Sequence, residues 1–96
     1  MYTVKWLEEA SQDVFRHYEF LSAKNQQAAL RAVQAILKAG DSLQVSPYRG
    51  TALQSRPDIR WIRVFFGKYG YILHYRVEEE TVLILEVHDG REDRFL

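Results

Sequence analysis

The amino-acid sequence predicts an α+β protein, a two-layer sandwich in which a helical hairpin packs on a mainly antiparallel sheet. Near the C-terminus, three runs of strand length at 59–66, 69–77 and 81–88 are dense in β-branched and aromatic residues. Two stretches with the apolar spacing of amphipathic helices precede them. Short links join the three strands, so neighbouring strands are expected to be antiparallel. The predicted order is β-α-α-β-β-β, ending in a three-stranded meander, in a single domain covering residues 1–96.

The first predicted strand and helix lie at the N-terminus. Tyr2, Val4 and Trp6 alternate with polar residues, which indicates a short strand over residues 2–7. Apolar residues then recur at spacings of three and four, which predicts an amphipathic helix over residues 8 to about 23. Two glutamates at its start suit the positive end of the helix dipole. The position of the first strand within the sheet stays open.

A second predicted helix follows a polar break at 24–26. Asn25 can cap its first turn, Lys38 favours its last turn, and Gly40 is expected to end it at the C′ position. The apolar stripes of the two helices can cover one face of the sheet. Residues 41–58 contain two prolines and a glycine with little periodicity, and they are expected to form a loop.

The turns of the meander assign its side chains to two faces, because residues opposite each other in a hairpin point to the same side. The first turn is predicted at Gly67-Lys68 and the second at 78–80. The predicted core face contains Ile62, Val64, Tyr71, Leu73, Tyr75, Val77, Leu83, Leu85 and Val87. The opposite face contains Trp61, Arg63, Ile72, His74, Arg76, Val82, Ile84, Glu86 and His88. This second face is too polar to be buried without partners, so the functional site is expected there.

Composition and charge restrict the possible functions. The chain has no cysteine, which excludes a disulfide framework and a thiolate metal site, and a reducing cytoplasm is the expected setting. No apolar run approaches a signal peptide or a membrane span, so no membrane partner is expected. Net charge is zero, but a basic block at 42–77 has six basic and one acidic residue, or +5, and an acidic block at 78–96 has two basic and seven acidic, or −5. Either the basic block binds an acidic partner or the two blocks neutralise one another in the fold.

Two short motifs lie towards the C-terminus, the tripeptide YRV at 75–77 and the segment VHDGRED at 87–93. Together with Pro47 and Gly50 in a loop before an arginine-bearing strand, their order and spacing resemble the RelE/ParE superfamily of toxins from bacterial toxin–antitoxin modules. The resemblance covers nearly the whole chain, and VHDGRED is similar to the ending of ParE-like members. It implies a toxin that a cognate antitoxin neutralises by folding onto it.

The superfamily divides by mechanism. RelE-like members cleave mRNA on the ribosome, whereas ParE-like members poison DNA gyrase without known chemistry of their own. The RelE-type site typically uses lysines near the start of the meander and a C-terminal tyrosine, but here Arg56, Arg60 and Phe95 stand in those regions. Zero net charge also argues against tight binding to ribosomal RNA. The ParE-like interpretation is therefore favoured, with no catalytic residues. Its partner-binding residues are Arg63, Arg76, His88, Arg91 and Arg94.

The alternative interpretation is a ribosome-dependent mRNA endoribonuclease. In-line attack by a 2′-hydroxyl needs a general base, a general acid and a cation at the phosphate. Arg63, Glu86 and His88 on the polar face supply such groups and resemble the trio of some ribonuclease members. The same residues can instead form a cross-strand Arg63–Glu86 ion pair with His88 at the strand end. A third interpretation is a degenerate, non-toxic member that only binds its antitoxin.

No cofactor and no metal are expected from the sequence. His17, His74 and His88 show no ligand spacing with the carboxylates, and there is no glycine-rich phosphate loop. The expected antitoxin carries an acidic, conditionally disordered segment that docks on the basic block.

Overall fold

Two helices pack on one face of a five-stranded mixed sheet in the computed structural model, which describes residues 1–92. The elements are β1 (Thr3–Trp6), α1 (Glu8–Ser22), α2 (Gln26–Asp41), a 3-10 turn (Ser42–Gln44), β2 (Thr51–Ala52), β3 (Ile59–Val64), β4 (Tyr71–Glu78) and β5 (Thr81–Asp89). The strand order is β1-β5-β4-β3-β2, with β1 parallel to β5 and the other pairs antiparallel. The predicted α+β class is confirmed, and β2 is an addition within the predicted loop.

Both helices begin where the sequence predicts. α1 starts at Glu8, and at the start of α2 the Asn25 side chain accepts a hydrogen bond from the Ala28 N–H at 3.0 Å. The predicted end of α2 at Gly40 is wrong, because Gly40 is buried in its last turn. A Cβ at this position would collide with the Trp6 ring, so the glycine lets β1 pack against the helix. Of the residues described, none form a helix long and apolar enough to span a lipid bilayer.

The core lies between the helices and the sheet. Ala10 of α1 and Ala32 of α2 are buried in this core. The larger core residues come from α2, the 3-10 turn and the three longest strands. They are Ile36, Leu43, Ile62, Val64, Tyr71, Leu73, Tyr75, Val82, Ile84 and Val87. Removing this apolar surface from water is the main favourable contribution to folding.

The register between β3 and β4 is the predicted one, with Val64 opposite Tyr71. β3 ends earlier and β4 begins later than predicted, because the connection between them consists of residues 65–70 and not only of the predicted two-residue turn. Gly70 has a φ of +65° and lies so close to the Val64 carbonyl that a Cβ would collide with it. The glycine therefore permits the wider connection without changing the register.

The turn between β4 and β5 is shorter than predicted. Glu78 pairs with Thr81, so the turn consists of Glu79 and Glu80. Glu79 adopts a φ of +54°, a conformation that favours glycine, which is why the sequence indicated a longer link. The start of β5 is therefore shifted by one residue relative to β4, and this shift reverses the faces of its side chains.

The predicted core positions of Leu83 and Leu85 are wrong for this reason. Val82 and Ile84 occupy the core instead. Leu83 lies opposite Arg76 on the other face, and both leucines are half-buried.

A β-bulge restores the predicted faces in the second half of β5. The register shifts between His74 and Tyr75, which leaves Leu85 as an extra residue in β5. Beyond the bulge, Glu86 faces the same side as His74, and Val87 lies in the core. The bulge therefore decides which residues of the C-terminal motif reach the polar face.

Side chains of α1 bind the edge of β5 beyond the end of β1, which pairs with β5 only as far as Ile84. The Val87 N–H donates to Asp13 Oδ2 at 2.9 Å, and the Val87 carbonyl accepts from His17 Nε2 at 2.7 Å. Asp13 and His17 lie one helical turn apart, so both reach the same strand residue. These bonds satisfy backbone groups that no strand pairs, and they account for the burial of a carboxylate.

The corrected faces of β5 predict a difference between two neighbouring substitutions. Ile84→Ala removes a fully buried side chain and is expected to lower the free energy of unfolding by about 2–5 kcal/mol. Leu83→Ala removes a half-buried side chain of similar size from the opposite face, so its cost is expected to be clearly smaller. Urea denaturation followed by circular dichroism measures both values. An equal or larger loss for Leu83→Ala would contradict the register.

Candidate functional site

The sheet face opposite the helices carries most of the predicted site residues. Its side chains, assigned from the cross-strand pairs, are Trp61, Arg63, Ile72, His74, Arg76, Leu83, Glu86 and His88. The observed register agrees with the common face predicted for four of them, Arg63, Arg76, Glu86 and His88. These four are nevertheless divided among three places, which are the centre of the face, the β3–β4 connection and the opposite end of β4.

Two histidines and a glutamate form a His–Glu–His cluster (His74, Glu86 and His88) at the centre of this face. His74 lies opposite Glu86, and His88 follows two residues later on β5. His88 Nε2 is 3.2 Å from Glu86 Oε2, and the two imidazole centroids are 5.1 Å apart. His74 is 4% exposed, whereas the Glu86 side chain is 48% exposed. Sequence spacing missed this cluster because its members come from two strands and meet only through the bulge at Leu85.

Arg63 lies apart from the cluster. The sequence predicts it in the row of Glu86, but the observed register puts it in the row of His88, with Ile72 between them. Arg63 Nη1 donates a hydrogen bond to the Tyr69 carbonyl at 2.9 Å, in the β3–β4 connection. Within residues 1–92 the predicted Arg63–Glu86 ion pair does not form, and Glu86 contacts His88 instead. The guanidinium of the predicted ribonuclease trio is therefore directed to the turn.

A basic depression of about 610 Å³ lies beside the β3–β4 connection. Arg63, Lys68 and Arg91 contribute its positive charge, and Phe65 beside them is 85% exposed. This turn depression is lined by Arg63, Phe65, Phe66, Gly67, Lys68, Tyr69, Gly70, Gly90 and Arg91. It brings together two of the predicted partner-binding arginines, Arg63 and Arg91, and adds a lysine and an aromatic ring that sequence reasoning did not select.

Arg91 is oriented by Asp89. The Arg91 Nε and Nη2 groups donate to the two Asp89 carboxylate oxygens at 3.1 and 2.9 Å. These bonds hold the pKa of the Asp89 carboxyl below its usual value. The N–H of Gly90 donates to the Gly70 carbonyl at 2.8 Å, and a Cβ on Gly90 would collide with the Tyr69 carbonyl. The glycine of the VHDGRED motif thus has a structural role, because it lets the motif dock against the turn.

Arg76 lies at the other end of β4, in a second depression of about 490 Å³ that also contains Arg60. It forms an ion pair with Glu78 at 2.8 Å. Its Nε atom is buried without a hydrogen-bond partner in the described part of the chain. Arg76 is therefore separated along the sheet from the turn depression. Arg94, the remaining predicted partner-binding residue, lies outside the described residues.

Tyr75 of the YRV motif has a structural role. It is fully buried, and its hydroxyl oxygen accepts a hydrogen bond from the Gly50 N–H at 2.9 Å. Arg60 Nη1 donates to the Gly50 carbonyl at 2.8 Å, so both backbone groups of this loop residue are satisfied. Burial raises the pKa of the Tyr75 phenol above its usual value. The side chain therefore ties the loop before β2 to the core, as expected for a core residue.

The basic block is only slightly neutralised by the acidic block. Of the five ion pairs within residues 1–92, only Arg76–Glu78 joins the two blocks. Arg60 and Arg63 donate hydrogen bonds to backbone carbonyl groups instead of carboxylates. This arrangement favours a basic surface that is open to an acidic partner over mutual neutralisation.

Comparisons with known proteins agree with the fold. The family model for the ParE toxin of type II toxin-antitoxin system, parDE, matches residues 4–94. The chain is 28% identical over 85 residues to Toxin RelE3 of Caulobacter vibrioides, which is 88% of this chain and 90% of that protein. A solved structure titled as the chromosomal ParDE TA system from P. aeruginosa has a TM-score of 0.76 at 23% identity, and the match covers 93% of this chain and 96% of that chain. A conserved hypothetical protein from Helicobacter pylori has a TM-score of 0.60 at 15% identity, and the match covers 96% of this chain and 98% of that chain.

The structural role of the YRV tyrosine predicts a loss of stability in Tyr75→Phe. The substitution leaves the buried Gly50 N–H without an acceptor, so the free energy of unfolding is expected to fall by about 1–3 kcal/mol. Tyr69→Phe, which removes a hydroxyl from a more exposed ring, serves as the control and is expected to change stability little. Thermal and urea unfolding measure both. A Tyr75→Phe protein that is as stable as the parent would refute the structural assignment.

Proposed function

Because this chain belongs to the ParE toxin family of type II toxin–antitoxin systems, we propose that it inhibits DNA gyrase in the cytoplasm by binding, and that a cognate antitoxin neutralises it. The family match includes every helix and strand described above except Thr3, the first residue of β1. The chain then acts as a binding toxin without catalytic residues. Its partner-binding residues are Arg63, Arg76, His88, Arg91 and Arg94, to which the turn depression adds Phe65 and Lys68.

The turn depression is the observation that supports binding most directly. Arginine and aromatic side chains, including phenylalanine, are enriched at the cores of protein–protein interfaces, and Arg63, Arg91 and Phe65 all line this depression. Phe65 is 85% exposed, so its ring is available to a partner at the edge of the depression. Lys68 adds positive charge that can steer association with an acidic surface.

The separation of Arg63 from Glu86 and His88 supports binding over RNA cleavage. A ribonuclease needs a cation at the phosphate that the 2′-hydroxyl attacks, close to the general base that removes the hydroxyl proton and the general acid that protonates the leaving oxygen. Arg63 is instead bonded to the Tyr69 carbonyl, and Glu86 and His88 contact each other. The three side chains are therefore not arranged around one phosphate group. This arrangement favours a charged binding surface over a catalytic site.

The binding proposal predicts that purified protein inhibits supercoiling by gyrase or causes gyrase-dependent DNA cleavage. Phe65→Ala and Lys68→Ala are each expected to raise the concentration needed for half-inhibition by about tenfold, since they remove an anchor and a steering charge. Matched controls on the helices are Phe15→Ala, which removes another exposed aromatic ring, and Lys38→Ala. Equal losses of inhibition in all four variants would show that the turn depression is not part of the interface with gyrase.

The second candidate function is a ribosome-dependent endoribonuclease, which the 3.2 Å contact between Glu86 and His88 keeps in consideration. Three results together would assign the chain to that branch. The protein would cut mRNA only when ribosomes are present, His88→Ala would reduce this cutting by ~100-fold or more, and gyrase would not be inhibited. A non-toxic member that only binds its antitoxin would cause no growth defect when the chain is induced alone.

For the antitoxin, we propose an acidic, conditionally disordered segment that orders on the basic block. We expect this antitoxin to be encoded beside the gene for this chain. The complex of the two proteins is expected to weaken as sodium chloride is raised, because exposed charge pairs are screened. Arg49→Glu changes an exposed residue of the basic block and is expected to weaken binding severalfold, whereas Arg31→Glu on α2 is the matched control in the neutral part of the chain. Calorimetry across salt concentrations measures both, and the absence of any complex at low salt would contradict the proposal.

A further inference from the structure

The His–Glu–His cluster points to a site that the sequence did not predict. One nitrogen from each of His74 and His88 and one oxygen of Glu86 all lie within 4.8 Å of one another. We propose that this cluster binds a divalent transition-metal ion, with Zn²⁺ as the best match, on the sheet face opposite the helices.

The ligand atoms are already close to coordination geometry. In a tetrahedral zinc site with bonds of about 2.0–2.1 Å, neighbouring ligand atoms are about 3.3 Å apart. His88 Nε2 and Glu86 Oε2 are 3.2 Å apart, so this pair needs almost no adjustment. The larger separations in the cluster, which are at most 4.8 Å, therefore involve His74, and its nitrogen must come closer to the other two atoms by up to about 1.5 Å for tetrahedral coordination.

The backbone that carries the cluster is bound along both edges. At His74, β4 pairs with β3 and with β5. At Glu86, β5 pairs with β4, and beyond the end of β1 its other edge is bound by side chains of α1. Sites on strands hold their ligands more accurately than sites on loops. The bulge at Leu85 sets Glu86 opposite His74. Between Glu86 and His88, the Val87 N–H donates to Asp13 and the Val87 carbonyl accepts from His17, and these bonds hold the backbone in place. The spacing of the ligands is therefore determined by packing on the other side of the sheet.

The ligand set defines the class of metal. Two imidazoles and one carboxylate suit Zn²⁺ and related first-row ions, and without a thiolate the site has no preference for soft ions such as Cu(I). Three protein ligands leave a coordination position for water or a partner group. Glu86 is about half exposed and gives the ion access from solvent, whereas His74 is nearly buried and restricts the site to one side.

The test uses untagged full-length protein freed of metal by a chelator and then titrated with zinc chloride. Calorimetry is expected to give one Zn²⁺ per chain, and the imidazole NMR signals of His74 and His88 are expected to shift while those of His17, on the helix side, stay in place. At a hundredfold excess over the dissociation constant, the unfolding midpoint is expected to rise by about 10 °C or more.

Two ligand variants and one control separate this site from adventitious binding. Glu86→Gln and His88→Gln are each expected to weaken zinc binding at least tenfold, whereas Glu80→Gln, an exposed glutamate in the β4–β5 turn, is expected to leave it unchanged. Binding that survives both ligand variants, shifts of His17 alone, or no binding at millimolar zinc would overturn the proposal. Metal-free protein that inhibits gyrase but binds no zinc would overturn this inference alone, since the gyrase proposal involves no metal.

Discussion

The hydrogen bonds between α1 and the backbone of Val87 are the constraint on which the arrangement of the C-terminal half depends. β1 covers β5 only as far as Ile84, so the rest of that edge would present unpaired backbone groups. Asp13 accepts the Val87 N–H, and His17 donates to the Val87 carbonyl. With Val87 held in the core, Glu86 and His88 on either side of it are directed to the opposite face. A helix on one side of the sheet thus determines the side chains presented on the other.

The family motifs divide into residues that maintain the fold and residues that a partner can reach. Tyr75 binds Gly50 inside the core, and Gly90 allows the chain to approach Gly70. Arg91, next to Gly90, is consequently placed at the rim of the turn depression with Asp89 orienting its guanidinium. The motif therefore contains residues that determine the local backbone shape as well as residues that are exposed, and the position of Arg91 depends on the approach of Gly90 to Gly70.

The polar face combines surfaces with different chemistry. The turn depression offers positive charge and an exposed ring, which suits a protein partner. The His–Glu–His cluster offers nitrogen and oxygen ligands, which suits a metal ion. Arg63 lies in the same row as His88, but its hydrogen bond to Tyr69 directs it to the depression. Membership of the family alone does not distinguish these surfaces, because the distinction rests on where a few side chains point.

The sequence by itself determined the elements that depend on local interactions. The start of α1, the Asn25 cap of α2 and the β3–β4 register follow from periodicity, capping and turn position within short segments.

The tertiary structure decided the faces of β5. Glu79 adopts a positive φ without glycine, and Leu85 is an extra residue, so each shifts the register by one. The first shift moved Leu83 out of the core. The two shifts together amount to two residues, so the side chains after the bulge return to the predicted face. Glu86 and His88 were therefore assigned to the correct face although the predicted register was incorrect. The contacts that hold this register, among them the hydrogen bonds between α1 and β5, join residues about seventy positions apart, and no pattern within a short stretch of sequence contains them.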